Sequence, residues 1–406
     1  MAVSTRRIVA FGLLCATQAL PVGFAAFAVP VLLRQSGVSL EAIGFAGLLF
    51  WPTTISFLWG PWVDRLAASQ RLRGVAAALH VAVAMSVLAL TVVSPRSSLA
   101  GFVVILGAII VLSSVLGVLT HGLMIWTMQP AERAAGGTAT YGGYYLGSIV
   151  GGGVFLTAEA SLGWAPALIA LAGLTLSGAA AFTLVDATTV TATDAAPRTA
   201  LALIRGIGRR EVWQACLLLV LLDLPQNIGV ALIGPALIDS QLSQSQAGIV
   251  SGILGLSAAL AGAIVAGAVA ARLDRRKALA VFGFIQLTPL VLLALTLRPG
   301  VTMLTAAIVV MVTYAAAGAF NVVLSAWLMD RAGTSSQRTT DLSILSAGHT
   351  TTYVMADPLA GTMMAGLGRP AFFMSIFAAG ALALYAAVRL VRRTEPLSTS
   401  PSIVAA

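Results

Sequence analysis

Charge is what this chain most lacks. Of its 406 residues only 9% are Asp, Glu, Lys or Arg, while 59% are hydrophobic. Soluble domains are about a quarter charged, so a water-bathed globule is excluded. Cysteine is scarce too. Cys15 and Cys216 both fall inside apolar runs, which excludes a disulfide framework and a cysteine-held zinc site. The three histidines form no metal-spaced set with them, so no metal is expected. No Gly-x-x-x-x-Gly-Lys-Ser/Thr loop is present, which removes ATP as an energy source. No nucleophile stands with a base, so an enzyme is not expected, nor any cofactor.

What fills the chain instead is apolar sequence, with a mean hydropathy of +0.97. A bilayer core needs about 20 apolar residues per helix, and the length divides into twelve such spans. The first six cover Ile8–Leu33, Leu40–Val63, Val75–Val93, Leu99–Met128, Thr138–Leu156 and Ala165–Val185. The last six cover Val212–Ile238, Ala247–Ala271, Leu279–Leu297, Val301–Met329, Thr340–Leu367 and Pro370–Leu390. Between the sets, Asp186–Arg210 is rich in Thr, Ala and Arg and has no continuous apolar run. The organisation is therefore an all-α membrane protein with twelve transmembrane helices in two six-helix bundles. Residues 1–186 form the first bundle, 187–210 a cytoplasmic linker, 211–392 the second bundle, and 393–406 a disordered tail. The 40 glycines suit helices that pack closely in lipid.

The net charge of +9 invites a nucleic-acid reading, but its distribution argues against one. In this topology all but four of the 23 Lys and Arg residues lie on one side, the exceptions being Arg34, Arg96, Arg298 and Arg369. That bias places both termini in the cytoplasm. Arg6-Arg7 and the run after it could pass for a secretory signal, but the run is long enough to span and reads as an uncleaved first helix.

The halves echo one another. Leu20-Pro21 answers Leu224-Pro225, and Ser39 with Gly44 answers Ser243 with Gly248, both at an offset of 204 residues. Trp126 to Arg133 answers Trp327 to Arg331. Such duplication is a mark of transporters, in which the solute site lies near mid-membrane between the repeats.

Charged residues inside a bilayer are costly and usually face a cavity. Asp223 stands near the middle of the seventh span, ahead of Pro225, Gln226 and Asn227. Proline frees a backbone carbonyl there, so a kinked, wet segment is expected; a structural aspartate capping a broken helix fits the same residues. The eleventh span carries Asp341, His349, a Thr350–Thr352 run with Tyr353, and Asp357. Steps of eight residues put Asp341, His349 and Asp357 on one helix face, an arrangement suited to proton relay or to ordinary interhelical bonding. Tyr144 and Tyr145 lie among glycines in the fifth span, and Gln18, His121, Tyr314 and Asn321 are polar at membrane depth. The pairs Asp64-Arg65, Asp274-Arg275, Glu132-Arg133 and Asp330-Arg331 fall at cytoplasmic ends, where gate salt bridges are expected.

The stretch Gly60-Pro-Trp-Val-Asp64-Arg65 with trailing Arg71 and Arg73 resembles the signature loop of the major facilitator superfamily, although its usual Gly-Arg-Arg continuation is stretched here. Two parallel six-helix halves with a midplane site describe that superfamily itself, so they come with the resemblance. Within it, Leu20-Pro21, Gly37-Val38-Ser39-Leu40, Phe57-Leu58-Trp59 and Gly143-Tyr144-Tyr145-Leu146-Gly147 are similar to AmpG-type muropeptide permeases. Thr340-Asp341-Leu342-Ser343 resembles the RhtX/FptX siderophore permeases, with Leu342 in place of their aromatic. The resemblance implies a monomeric, proton-driven importer in the bacterial inner membrane, carrying a siderophore or ferric siderophore. The alternatives are a muropeptide permease, a drug or metabolite exporter, and a substrate-sensing receptor on the same fold. Its partners would be a small-molecule substrate, protons and the lipid bilayer, with no nucleic acid.

Overall fold

The apolar runs fold into helices because a backbone in lipid must satisfy its own hydrogen bonds. The computed structural model of the chain describes residues 5–59, 62, 72–95, 97–127, 142–182, 210–270, 273, 275–333 and 338–394. Helix α1 runs over Thr5–Gly23, a π-helical turn at Phe24–Ala28, and Val29–Gln35. Helix α2 is assembled from short pieces between Leu40–Ala46 and Ser56–Trp59. Then come α3 (Leu72–Ala89), α4 (Leu99–Thr127), α5 (Gly142–Leu162) and α6 (Trp164–Ala181). The second set comprises α7 (Arg210–Ala231 with Ile233–Asp239) and α8 (Gln244–Ala247, a π-helical Gly248–Gly255, and Leu256–Ala270). It ends with α9 (Arg275–Thr296), α10 (Met303–Gly333), α11 (Arg338–Leu367) and α12 (Arg369–Thr394). The expected linker lies outside the described residues.

Among the described residues nine stretches are long and apolar enough to cross a membrane. The other three helices have plain reasons for falling outside that set. Helix α3 is short, α2 is broken, and α11, though 30 residues long, carries the threonine run, His349 and two aspartates. Outward-facing Val104, Leu304 and Leu382 are largely exposed, as a lipid-facing surface requires.

The echo at Ser39 and Ser243 has a structural cause. Each serine caps a helix: Ser39 Oγ accepts from Ala42 N, and Ser243 Oγ accepts from Gln246 N. At the second site the Gln246 side chain returns a bond from Ser243 N, completing a capping box. Helix α7 continues as helix through Pro225, and a break that the sequence did not announce follows seven residues later, at Leu232 (φ −113°, ψ 23°). Pro235 explains the position, because its ring and missing N–H oppose a regular turn around Ala231 and Leu232. Beside Pro225, the side chain of Gln286 in α9 donates to Leu222 O (3.0 Å), supplying a donor in the turn the proline weakens.

Packing divides the molecule by depth. Call the side carrying both chain ends the near side. On the far side one buried cluster runs continuously across both halves, from Phe24, Val31 and Phe102 to Ile233, Leu237 and Phe372. Towards the near side the buried residues separate into two clusters, one per half. Phe11, Leu14, Leu119 and Phe182 belong to the first, and Leu219, Phe320, Leu324 and Trp327 to the second. The described halves are thus fused far and parted near.

Two glycine-lined crossings among the described residues bring them together. At the first, the π-helical parts of α5 and α8 touch backbone to backbone: a Cβ on Gly252 would lie 2.3 Å from Gly153 Cα. At the second, α2 lies on α11, where a Cβ on Gly44 would lie 2.4 Å from the carbonyl oxygen of Asp357.

Candidate functional site

Between the halves, α1, α2, α4, α5, α7, α8, α10 and α11 enclose a cavity of about 550 Å³. That volume falls within the range of small-molecule sites. Seven of the ten cavity candidates read from sequence line it: Gln18, Tyr144, Tyr145, Asn227, Asn321, His349 and Asp357. Tyr314, Tyr353, Thr350 and Ser251 add further polar groups, and Phe27 and Phe50 add aromatic surface. No lysine or arginine occurs among the described lining residues.

Asp223 is not on the wall but directly behind it, 1% exposed. Its Oδ2 accepts from Asn227 Nδ2 (2.9 Å), one turn along α7. Thr352 of α11 brings its hydroxyl to the same oxygen (2.5 Å) and also lies 2.7 Å from His349 O, so it donates to one of the two at a time. His349 Nδ1 stands 3.0 Å from Asp223 Oδ2, an ion-pair distance when the imidazole is protonated. His349 is itself 38% exposed and faces the cavity. The result is a carboxylate sealed from solvent, tied to α11 by two side chains, whose only described titratable neighbour opens onto the cavity.

Asp357 is different. It lines the cavity two turns beyond His349, as the eight-residue spacing requires, and its carboxylate has no hydrogen-bond or ion-pair partner among the described residues. Gly47 of α2 makes the room: a Cβ there would lie 2.1 Å from Asp357 Oδ2. The Tyr353 ring, one turn earlier, meets Phe50 of α2 edge-on at 6.4 Å.

The remaining candidates fall elsewhere. Gln226 is 2% exposed, off the cavity wall, and neither polar atom of its amide has a partner among the described residues. Asp341, Arg275, Asp330, Arg331 and His121 lie in helices, but their side chains are not described. Asp64, Arg65, Asp274, Glu132 and Arg133 lie outside the described residues. Gln18 packs its amide over Gly117 of α4, where a Cβ would approach Nε2 to 2.5 Å.

Sequence reasoning looked for polar pairs at the near side and missed those at the far side. Arg34, closing α1, clasps Asp239, closing α7, through Nε–Oδ1 at 2.7 Å and Nη2–Oδ2 at 3.0 Å. Its third nitrogen donates to Val38 O (3.1 Å). Gln244 at the start of α8 donates to Glu159 and to Leu156 O, both in α5. A signal was available, since Arg34 and Asp239 are 205 residues apart, within one residue of the repeat offset. His80 was also missed. It is fully buried within the first half, with Nδ1 2.9 Å from Ala76 O, and it does not reach the cavity.

No family model matches the chain. The anhydromuropeptide permease of Escherichia coli (strain K12) is 28% identical over 276 residues, 66% of this chain and 56% of the permease. The protein of the same description from Escherichia coli O157:H7 matches to the same extent. The matched stretch thus spans little more than half of these relatives. Among solved structures, a bacterial homologue of the human lysosomal transporter Spinster, captured inward-facing and occupied, has the same fold. Its TM-score is 0.66 over 95% of this chain and 94% of that one, at 13% identity. The fold is therefore the major facilitator fold, with twelve transmembrane helices in two six-helix bundles.

Proposed function

We propose that the chain is a membrane transporter that exposes the cavity between its halves to one side and then the other. The observation that carries this reading is the division of the core among the described residues: one continuous cluster on the far side, two separate clusters on the near side, and a cavity between. A rigid binding protein has no need of that asymmetry, whereas halves that rock about a central site pass through such a state. The near side is the cytoplasm by charge bias, so this is the inward-facing arrangement of a protein in the bacterial inner membrane, working as a monomer and importing. Residues 187–210 would link the halves as a cytoplasmic segment.

The solute is a small organic molecule. Similarity to muropeptide permeases favours a muropeptide over a siderophore, whose support was the short segment Thr340–Ser343. The coupling centre is the Asp223–His349 pair, since it can hold a proton behind the wall and exchange it through the exposed imidazole. Purified protein in proteoliposomes should exchange radiolabelled anhydromuropeptide in counterflow and accumulate it when the outside is acidic, and a protonophore should abolish the accumulation. Absence of counterflow for anhydromuropeptide, with exchange of a ferric siderophore instead, would reverse the choice of solute. Absence of exchange with a broad panel of solutes would overturn the transporter reading.

A further inference from the structure

The cavity has a pronounced imbalance of charge. Besides tyrosines and the Cys15 thiol, its described wall carries two ionisable groups, His349 and Asp357, and neither Arg nor Lys. His349 is engaged with Asp223 behind it. Asp357 faces the cavity with its carboxylate unpaired among the described residues. Asp357 is half-buried on the cavity wall, a nearby opposite charge favours an ionised carboxyl, and the described protein supplies none there. The Asp357 side chain lies against Gly47 of α2, while Tyr353 and Phe50 set aromatic surface nearby and Tyr314 and Tyr144 face the same space. Aromatic faces attract cations electrostatically, and an unpaired carboxylate among them is a common solution for binding organic ammonium groups.

We infer that Asp357 anchors a positively charged group, an ammonium or amidinium, on the solute this cavity receives, while the apolar and aromatic walls hold its body. The inference rests on the cavity being a solute site, as proposed above, but not on the solute being a muropeptide. It also separates two roles: Asp223 and His349 exchange the proton, and Asp357 selects charge.

Three probes of matched size test it: 4-phenylbutylamine, 4-phenylbutanol and 4-phenylbutyrate, titrated calorimetrically into the purified full-length protein at neutral pH. Wild-type protein should bind the amine about tenfold or more tighter than the alcohol, the usual scale for one hydrogen-bonded contact to a charged group. The carboxylate should bind more weakly than the alcohol. In Asp357→Asn the amine should fall to the affinity of the alcohol, and the alcohol itself, which also reports folding, should be unchanged. Gly47→Ala, which crowds the carboxylate without removing it, should weaken the amine more than the alcohol. Binding by wild-type protein that is equal for the three probes, strongest for the carboxylate, or absent for all of them would overturn the inference whatever the variants do. An amine preference that survives Asp357→Asn would overturn it as well.

Because binding is measured without transport, the two readings fail separately. Amine selectivity through Asp357 in a protein that exchanges no solute leaves the cation site standing and removes the transporter. Transport of an anionic solute undiminished in Asp357→Asn does the reverse.

Discussion

The ion pair between Arg34 and Asp239 offers a direct measure of what holds the far side shut. Its two N–H···O contacts, at 2.7 and 3.0 Å, join the last turn of α1 to the last turn of α7, one from each half. The side chains are 26% and 21% exposed, so the pair is neither a surface bridge nor a buried one. Surface pairs contribute up to about 1 kcal/mol, and hydrogen bonds to charged groups about 1.5–3 kcal/mol. A value of about 1.5 kcal/mol for this pair is a fair middle, and about 1.4 kcal/mol is a tenfold change in an equilibrium. Arg34→Gln should therefore raise the far-open to far-closed ratio roughly tenfold. Asp239→Asn should do the same. The double variant should shift by less than the two added together, because the second change removes a partner already orphaned. Spin labels at Gln35 in the first half and Ala365 in the second, both exposed, would report the populations by pulsed electron resonance after Cys15 and Cys216 are replaced. A distance distribution unchanged in both single variants would show that the far side closes without this pair.

Three further outcomes are expected. Asp223→Asn should keep counterflow of solute but lose accumulation driven by a pH gradient, and a variant that still accumulates would move coupling from α7 to α11. Gly252→Ala forces a Cβ to within 2.3 Å of Gly153 Cα, so it should lower stability by about 1–3 kcal/mol, read as a fall in the detergent melting temperature. Gly173→Ala, on an exposed face of α6 with nothing within 4 Å, should leave that temperature nearly unchanged. A cysteine at Ser97 should react with an impermeant thiol reagent applied outside intact cells and one at Thr193 should not; the opposite pattern would invert the orientation and the direction of import.

Much of this molecule is legible in its sequence because lipid leaves few choices. Apolar runs of the right length become helices, and the expected span Leu99–Met128 takes in all of α4 as described. The repeat was visible at Ser39 and Ser243 because helix caps are written in local chemistry. His349 and Asp357 were placed on one face by spacing alone, and the cavity receives both. What could not be read was partnership across the fold. Asp223 and His349 are 126 residues apart, and nothing local says that Thr352 and Asn227 converge on one carboxylate oxygen. The break in α7 was not read from sequence: Pro225 stands within a helix, and the interruption comes at Leu232, a turn before Pro235.

The crossing of α5 over α8 has a mechanical consequence. Gly153 meets Gly252 with backbone on both sides and no side chain between. Interlocked side chains must lift out of their sockets before two helices can turn on each other, but a bare joint has nothing to disengage. It behaves as a bearing. At the rim, where Arg34 holds Asp239 and Gln244 reaches Glu159, motion must instead break discrete polar contacts. A single methyl group at the bearing would be felt by both halves together.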